Sequence, residues 1–122
     1  MTEWMDLQAC CSRKLVSADQ AITEIRHGSR VFIGSGCGEP QHLVHALVKN
    51  RDMQEILIYQ MLSFTLAQYV DDPDFLERFA LKLFFISAPM RKAAFEGKID
   101  YLPVYLSEIP ELFDSNQIGL EA

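Results

Sequence analysis

Three glycines alternate with small residues between positions 34 and 38, and a glutamate and a proline follow them directly. Because glycine has no side chain, the backbone of such a segment can approach a ligand closely and point its N–H groups at a negative or polarised oxygen. The segment therefore predicts a ligand-binding loop. The candidate residues in it are Gly34, Ser35, Gly36, Cys37, Gly38, Glu39 and Pro40.

Two nucleotide-binding motifs compete for the same glycines. In the dinucleotide fingerprint a third glycine would fall at position 39, where Glu39 would repel a pyrophosphate, and the second strand would end on an acidic residue rather than on Tyr59 and Gln60. A phosphate-binding P-loop would need a Gly-Lys-Ser/Thr sequence that is absent here. The plain alternative, a tight turn from a strand to a helix, stays open.

Other reactive side chains have simpler interpretations. Cys37 has no base that the sequence can pair with it, so we expect a small loop residue rather than a thiol nucleophile. His42 and His45 have a spacing that suits a metal, but no third ligand is evident, and surface histidines are the better prediction. Glu39 precedes a predicted helix, so capping that helix is at least as good a role for it as ligand binding.

Short apolar runs alternate with helical patterns along the chain, and this order predicts an α/β fold with about four parallel strands. The predicted strands are residues 31–33, 56–59, 81–86 and 101–106. Helices are predicted at residues 4–15, from a capping box at Ser17 to about His27, from Pro40, from the aspartates near 71 to about Phe79, from Pro89 to Gly97, and near Phe113. Ligands of such sheets gather at the carboxyl ends of the strands.

Composition limits the class of protein. The 122 residues, 49% of them hydrophobic, fit one domain, residues 1–122, with an N-terminal helical segment in 1–16. A net charge of −6 excludes a broad nucleic-acid or anionic-membrane surface. With no run of about 20 apolar residues and no signal peptide, we expect a cytoplasmic protein. Three cysteines, two of them adjacent, predict no structural disulfide.

Two separate motifs carry a resemblance to a known family. The stretch at 31–47, VFIGSGCGEPQHLVHAL, resembles the strand, glycine loop and helix at the front of family I CoA-transferases, in particular the branch of acetyl-CoA hydrolases and 4-hydroxybutyrate CoA-transferases. Residues 97–104 and 106–113 resemble that family's Gly-x-x-Asp-Tyr-x-Pro and Leu-Ser-Glu-Ile-Pro segments. A weaker match is KLVS at 14–17.

The resemblance implies a truncated three-layer, parallel-sheet α/β domain of CoA-transferase type, forming the amino-terminal part of a two-domain enzyme. It implies transfer of CoA between acyl groups and carboxylates, or acetyl-CoA hydrolysis, with a coenzyme A thioester as substrate and no separate cofactor or metal. The nucleophilic glutamate belongs to the carboxyl-terminal half, beyond Ala122, so no residue of this sequence receives the catalytic role. Residues 34–40 would line the acyl or CoA site, and Ser107 and Glu108 would approach the same edge.

The expected partners are an acyl-CoA, a small carboxylate and the carboxyl-terminal domain, in a homo-oligomer. An alternative is a module that binds an acyl-CoA or a carboxylate without catalysis. The segment from Gln117 to Ala122 does not resemble the end of an α/β unit, because the next strand of the sheet would be expected there, and this favours a longer protein. We therefore expect this fragment alone to be inactive and to self-associate through exposed apolar surface or a strand edge.

Overall fold

The computed structural model describes residues 7–122 and contains one parallel sheet with helices in the connections. The strands are β1 (Arg30–Ile33), β2 (Ile56–Gln60), β3 (Phe79–Leu83) and β4 (Asp100–Tyr101). The helices are α1 (Leu7–Cys11), α2 (Ala18–Ile22), α3 (Gln41–Lys49), α4 (Pro73–Arg78), α5 (Arg91–Phe95) and α6 (Ile109–Asp114). No helix within this part of the chain is long and apolar enough to cross a bilayer.

All four strands pair in parallel, in the order β1-β2-β3-β4. Each strand lies beside the next one along the chain, because α3, α4 and α5 return the chain to the same end of the sheet. The α/β prediction with four parallel strands is confirmed. The carboxyl ends of the strands consequently share one edge, where the loops that follow them meet.

The main core lies on one face of the sheet. Val31, Ile58 and Leu81 form a row across the three longer strands, and they are buried against side chains of the helices. Val44, Leu47 and Val48 of α3 supply one part of the cover, since their spacing places them on one side of that helix. Ile22, Phe75 and Ala93 bring α2, α4 and α5 into the same cluster.

The second face carries a smaller cluster under α6. Tyr59, Phe84 and Ile109 are buried there, and the rings of Phe32 and Phe113 meet edge to face at 5.4 Å. Ala80, on the same face of β3, is exposed. Helices thus cover one face of the sheet fully and the other in part.

The last two residues of the sequence lie along the outer edge of β1. The Ala122 carbonyl oxygen accepts from the Phe32 amide at 2.8 Å, and the Ala122 and Glu121 amides donate to the Arg30 carbonyl oxygen at 3.3 and 2.9 Å. The Glu121 carboxylate also accepts from the Arg30 amide at 2.6 Å. The sequence does not predict that residues 117–122 end the α/β unit, but the bonds of Glu121 and Ala122 occupy the edge of β1 at Arg30 and Phe32. At this point the edge of β1 is therefore not free, and exposed apolar surface or the edge of β4 is the better basis for the expected self-association.

The capping box predicted at Ser17 is present, but α2 is shorter than predicted. The Ser17 side chain accepts from the Gln20 amide, while the Gln20 side chain accepts from the Ser17 amide. The helix ends at Ile22 instead of near His27. From Thr23 onward the amides bond three residues back, and the Thr23 hydroxyl also donates to the Gln20 carbonyl, so the α-helical ladder is lost.

Several other boundaries differ from the predictions. The strand predicted at 81–86 begins earlier and ends at Leu83, although Phe84 and Phe85 still donate to carbonyls of the β2 segment. The strand predicted at 101–106 has only the two residues of β4, although the Leu102 amide still donates to the Leu83 carbonyl oxygen at 2.8 Å. Helix α3 begins at Gln41, with Pro40 preceding it, and the glycine segment contains a short 3-10 turn, Gly36–Gly38.

The first predicted helix, residues 4–15, is described only in part. Leu7–Cys11 are helical, and positions 4–6 lie outside the described residues. Helix α4 ends at Arg78, one residue before the predicted end. The helix predicted to close at Gly97 consists of the 3-10 turn Ala88–Met90 and α5, and Gly97 has the positive φ of 72° expected after a helix.

Candidate functional site

The candidate site lies at the carboxyl edge of the sheet, where two loops are in contact. The glycine loop, residues 34–40, follows β1, and the β2 loop, residues 61–65, follows β2. Parallel sheets bind ligands at this edge. Gly36, Cys37 and Gly38 are exposed, so the tip of the glycine loop is open to a ligand rather than packed inside the protein.

Side chains of both segments join the two loops. The Ser35 hydroxyl oxygen accepts from the amides of Met61 and Leu62, at 3.1 and 3.0 Å. The side-chain amide of Gln60, the last residue of β2, donates to the Gly34 carbonyl oxygen at 3.0 Å. These bonds fix the start of the glycine loop against the end of β2.

Glu39 supplies the second half of the connection. Its Oε1 accepts from Gln60 Nε2 at 3.0 Å, and its Oε2 accepts from the Thr65 hydroxyl at 2.9 Å. Among the described residues no side chain caps the N-terminus of α3, for which Pro40 is the N-cap residue. The capping role considered for Glu39 is therefore wrong, because its carboxylate is turned toward the β2 loop instead.

The backbone of the glycine loop presents unused hydrogen-bond donors. In the part of the chain that the structure describes, the amides of Gly34, Ser35, Gly36 and Cys37 have no acceptor, whereas those of Gly38 and Glu39 donate back to Ser35 and Gly36. Gly36 has a φ of +58°, a conformation that residues with side chains rarely adopt. Successive free N–H groups can bind a carboxylate or a developing oxyanion.

Ser107 and Glu108 follow β4, one edge strand of the sheet, whereas the glycine loop follows β1, the other edge strand. The chain then turns back over the sheet, since the next residue, Ile109, packs with Tyr59 of β2 and with Phe84. Ser107 and Glu108 are both exposed, and the Glu108 side chain accepts from the Tyr105 amide at 3.2 Å. Glu108 also borders a groove of about 490 Å³ with Phe85, Tyr101 and Tyr105.

The remaining reactive side chains stand apart from this network. Cys37 and His42 are exposed. His45 Nδ1 lies 2.7 Å from the Tyr69 hydroxyl, a contact that connects α3 to the segment before α4. Within the described residues, His, Cys, Asp and Glu side chains form no group of three that could hold a metal. Arg91 and Lys92 are exposed on α5, as expected for a solvated helix face.

Sequence reasoning missed two residues of the site, Gln60 and Thr65. Gln60 follows the apolar run ILIY at the end of β2 and is completely buried. A polar residue at the carboxyl end of a buried strand is the sequence signal that could have identified it. Thr65 is also buried and has no comparable signal, because its position depends on how the β2 loop folds over Glu39.

Three comparisons with known proteins agree with this description. Residues 1–120 match the model of the acetyl-CoA hydrolase/transferase N-terminal domain. The chain is 32% identical over 120 residues to 4-hydroxybutyrate coenzyme A transferase of Clostridium kluyveri, covering 98% of this chain and 27% of that protein. It is 30% identical to the succinyl-CoA:acetate/propanoyl-CoA:succinate CoA transferase of Fasciola hepatica, covering 86% of this chain and 22% of that protein.

The fold also matches a solved structure. RipA from Yersinia pestis superposes with a TM-score of 0.75 over 95% of this chain and 29% of that chain, at 22% identity, which supports the fold alone. The chain spans about a quarter of the length of the curated relatives it matches. Because the family model covers almost every residue, the chain belongs to the acetyl-CoA hydrolase/transferase family, as its N-terminal domain.

Proposed function

We propose that this domain is the amino-terminal part of an acyl-CoA:carboxylate CoA-transferase of the 4-hydroxybutyrate or acetate type, or of an acetyl-CoA hydrolase. In this proposal the glycine loop lines the acyl or carboxylate pocket. The nucleophilic glutamate comes from a carboxyl-terminal part beyond Ala122. The substrates are an acyl-CoA and a small carboxylate, and the complete protein is an oligomer.

One observation carries the role of the loop. Four consecutive amides, from Gly34 to Cys37, have no acceptor among the described residues, and they lie in a loop whose ends are fixed by Ser35 and Glu39. A group of donors that is held in place before the ligand arrives can stabilise negative charge without reorganising. The family match supports a reaction in which such charge develops at an acyl carbonyl.

The proposed chemistry has two acyl-transfer stages. The glutamate carboxylate attacks the thioester carbonyl and expels CoA as a thiolate, which forms a mixed anhydride. The thiolate then attacks the glutamyl carbonyl, releasing the original acyl group as a carboxylate and leaving a glutamyl-CoA thioester. The incoming carboxylate then attacks the glutamyl-CoA carbonyl and expels the CoA thiolate, and the thiolate attacks the acyl carbonyl of the new anhydride, which gives the new acyl-CoA and the free glutamate. In hydrolysis, water attacks in place of the incoming carboxylate. Each addition places negative charge on a carbonyl oxygen, and the glycine-loop amides would bind that oxygen.

A matched pair of glycine substitutions tests the role of the loop. Gly36 and Gly28 both have positive φ, +58° and +77°, and neither has an atom within 4 Å of an added Cβ. Gly36→Ala and Gly28→Ala should therefore destabilise the fold similarly, by about 1 kcal/mol, through backbone strain alone. Gly28 precedes β1, at the opposite edge of the sheet from the glycine loop.

The measurement is thioester exchange by the complete protein, with acetyl-CoA and a series of short carboxylates. We expect Gly36→Ala to lower kcat at least about tenfold, because the shifted backbone turns the amides away from the oxygen, while Gly28→Ala keeps wild-type turnover. Equal turnover in the two variants would remove the loop from the chemistry. Saturable binding of acetyl-CoA with no exchange in the wild type would favour a non-catalytic binding module.

A further inference from the structure

We infer that Gln60 is a positioning residue whose side-chain amide sets the conformation of the glycine loop. The catalytic consequence of this inference rests on the proposed function, whereas its structural part does not. Gln60 reaches the loop at both ends, because its Nε2 is 3.0 Å from the Gly34 carbonyl oxygen and 3.0 Å from Glu39 Oε1. One side chain thereby connects Gly34, at the start of the loop, to Glu39, near its end.

The neighbours of Gln60 on the adjacent strands are apolar. It lies in the core-facing row of the sheet, paired with Ile33 of β1 and Leu83 of β3, and its exposure is 0%. An amide at such a position is costly to bury unless its hydrogen bonds are made. A methionine or leucine would fit a row of this kind with a smaller desolvation cost.

The hydrogen-bonding capacity of Gln60 is used on one side only. Its Oε1 is buried and has no partner in the described part of the chain, while its Nε2 makes both bonds to the glycine loop. A half-satisfied buried amide contributes little to global stability. Its identifiable effect is therefore local, on the position of residues 34–39.

Thr65 and Ser35 complete the connection. Thr65 donates to the other Glu39 oxygen at 2.9 Å, and Ser35 accepts from Met61 and Leu62. The glycine loop and the β2 loop are thus expected to move as one block. Loss of Gln60 should loosen both loops together and leave the rest of the sheet unchanged.

Amide hydrogen exchange on the chain tests this directly. The reporters are the Gly38 and Glu39 amides, which donate within the glycine loop, and the Met61 and Leu62 amides, which donate to Ser35. The references are the Leu57 and Asn50 amides, which donate to the Ser29 and Ala46 carbonyls. The variant is Gln60→Met, which keeps the length of the side chain and removes the donor.

The control is Gln54→Met. Gln54 also donates its side-chain amide to a backbone carbonyl, that of Arg51, but it lies before β2, away from the carboxyl edge. A second variant, Thr65→Val, keeps the shape of a buried side chain and removes only the hydroxyl bond to Glu39. If Gln60→Met fails to fold, Thr65→Val tests whether the hydrogen bonds to Glu39 hold the glycine loop in place.

We expect Gln60→Met to speed exchange of the four reporter amides by at least about tenfold with the reference amides unchanged, and Thr65→Val to do so by a smaller factor. Unchanged exchange rates of the four reporter amides in a folded Gln60→Met chain would overturn the inference. In the complete protein, kcat should fall in Gln60→Met with little change in KM. Faster exchange with unaltered turnover would uphold the positioning role and contradict the proposed function of the loop.

Discussion

A Cβ atom added to Gly34 would lie 2.6 Å from the carbonyl oxygen of Gly38. The first and last glycines of the loop are therefore in backbone contact across the 3-10 turn, and this contact gives the loop its narrow bend. Gly38 itself is different, since an added Cβ there meets nothing within 4 Å. The close contact requires a glycine at position 34 and the positive φ favours one at position 36, whereas the local geometry leaves room for a side chain at position 38, so the three positions respond differently to substitution.

Gly34→Ala should destabilise the protein, because the new methyl group overlaps a backbone oxygen that cannot rotate away. We expect a loss of about 1–3 kcal/mol in the free energy of unfolding, the usual cost of overpacking. Gly38→Ala should change it by no more than about 0.5 kcal/mol. Urea denaturation followed by circular dichroism measures both, and equal losses in the two variants would show that the contact across the turn is not tight.

Arg78 holds the end of α3 against α4, so its removal should be severe. Its side chain is 5% exposed, and its guanidinium donates to the carbonyls of Val48 and Asn50 at 3.0 and 3.1 Å and to the Asp74 carboxylate. Arg78→Met leaves the buried Val48 carbonyl without its donor and removes the ion pair with Asp74, and it should cost about 2–4 kcal/mol in thermal or urea unfolding. The exposed Arg91→Met is the control, expected within about 0.5 kcal/mol of wild type. A similar small effect at Arg78 would contradict this bonding.

Ser107 and Glu108 are proposed to contact the CoA part of the substrate rather than the reacting carbonyl. They follow β4, whereas the glycine loop follows β1, and among the described residues neither is hydrogen-bonded to that loop, so an effect on binding is expected without an effect on chemistry. Ser107→Ala and Glu108→Gln in the complete protein should raise the KM for acetyl-CoA a few-fold and leave kcat nearly unchanged. Glu111→Gln, an exposed position on α6, is the control. A selective fall in kcat would assign these residues to the chemical step.

The isolated chain should self-associate. Phe95, Tyr105 and Leu106 have exposures of 92, 77 and 62%, and Phe95 and Tyr101 border an apolar groove of about 370 Å³. Apolar surface of this kind is usually covered by a partner or by more of the same chain. Light scattering should show a mass that rises with concentration, and Phe95→Ser should reduce this rise while the exposed Gln117→Ser does not. A monomer over a wide concentration range would refute this.

The order of elements followed directly from the sequence. Continuous apolar runs such as ILIY at 56–59 suit only strands covered on both faces, and glycine and proline marked the connections. Boundaries were less accurate where side-chain chemistry acts locally. Helix α2 ends early where the Thr23 hydroxyl bonds back to the Gln20 carbonyl, and β4 has two residues although the Leu102 amide still bonds to Leu83. The pairing of Ala122 with β1 joins residues about 90 positions apart, and no local pattern indicates it.

The site was predicted as a set of residues but not as a network. Position along the chain indicated that the glycine loop follows a strand, yet it did not show that Glu39 turns away from α3 toward Thr65. Such contacts connect residues 26 positions apart, and they depend on the packing of two loops that sequence patterns do not describe. In the sequence Gln60 stands out only as a mismatch to a nucleotide site, although a polar residue at the end of a buried strand indicates a specific partner.

The most direct measurement is a crystal structure of the complete protein with a carboxylate substrate or an acyl-CoA bound. The proposed role of the glycine loop predicts that an oxygen of the carboxylate or thioester lies about 2.7–3.1 Å from the amide nitrogens of Gly36 or Cys37. A ligand whose oxygens contact only other parts of the protein, with these amides facing solvent or bonded to another protein carbonyl, would contradict the account.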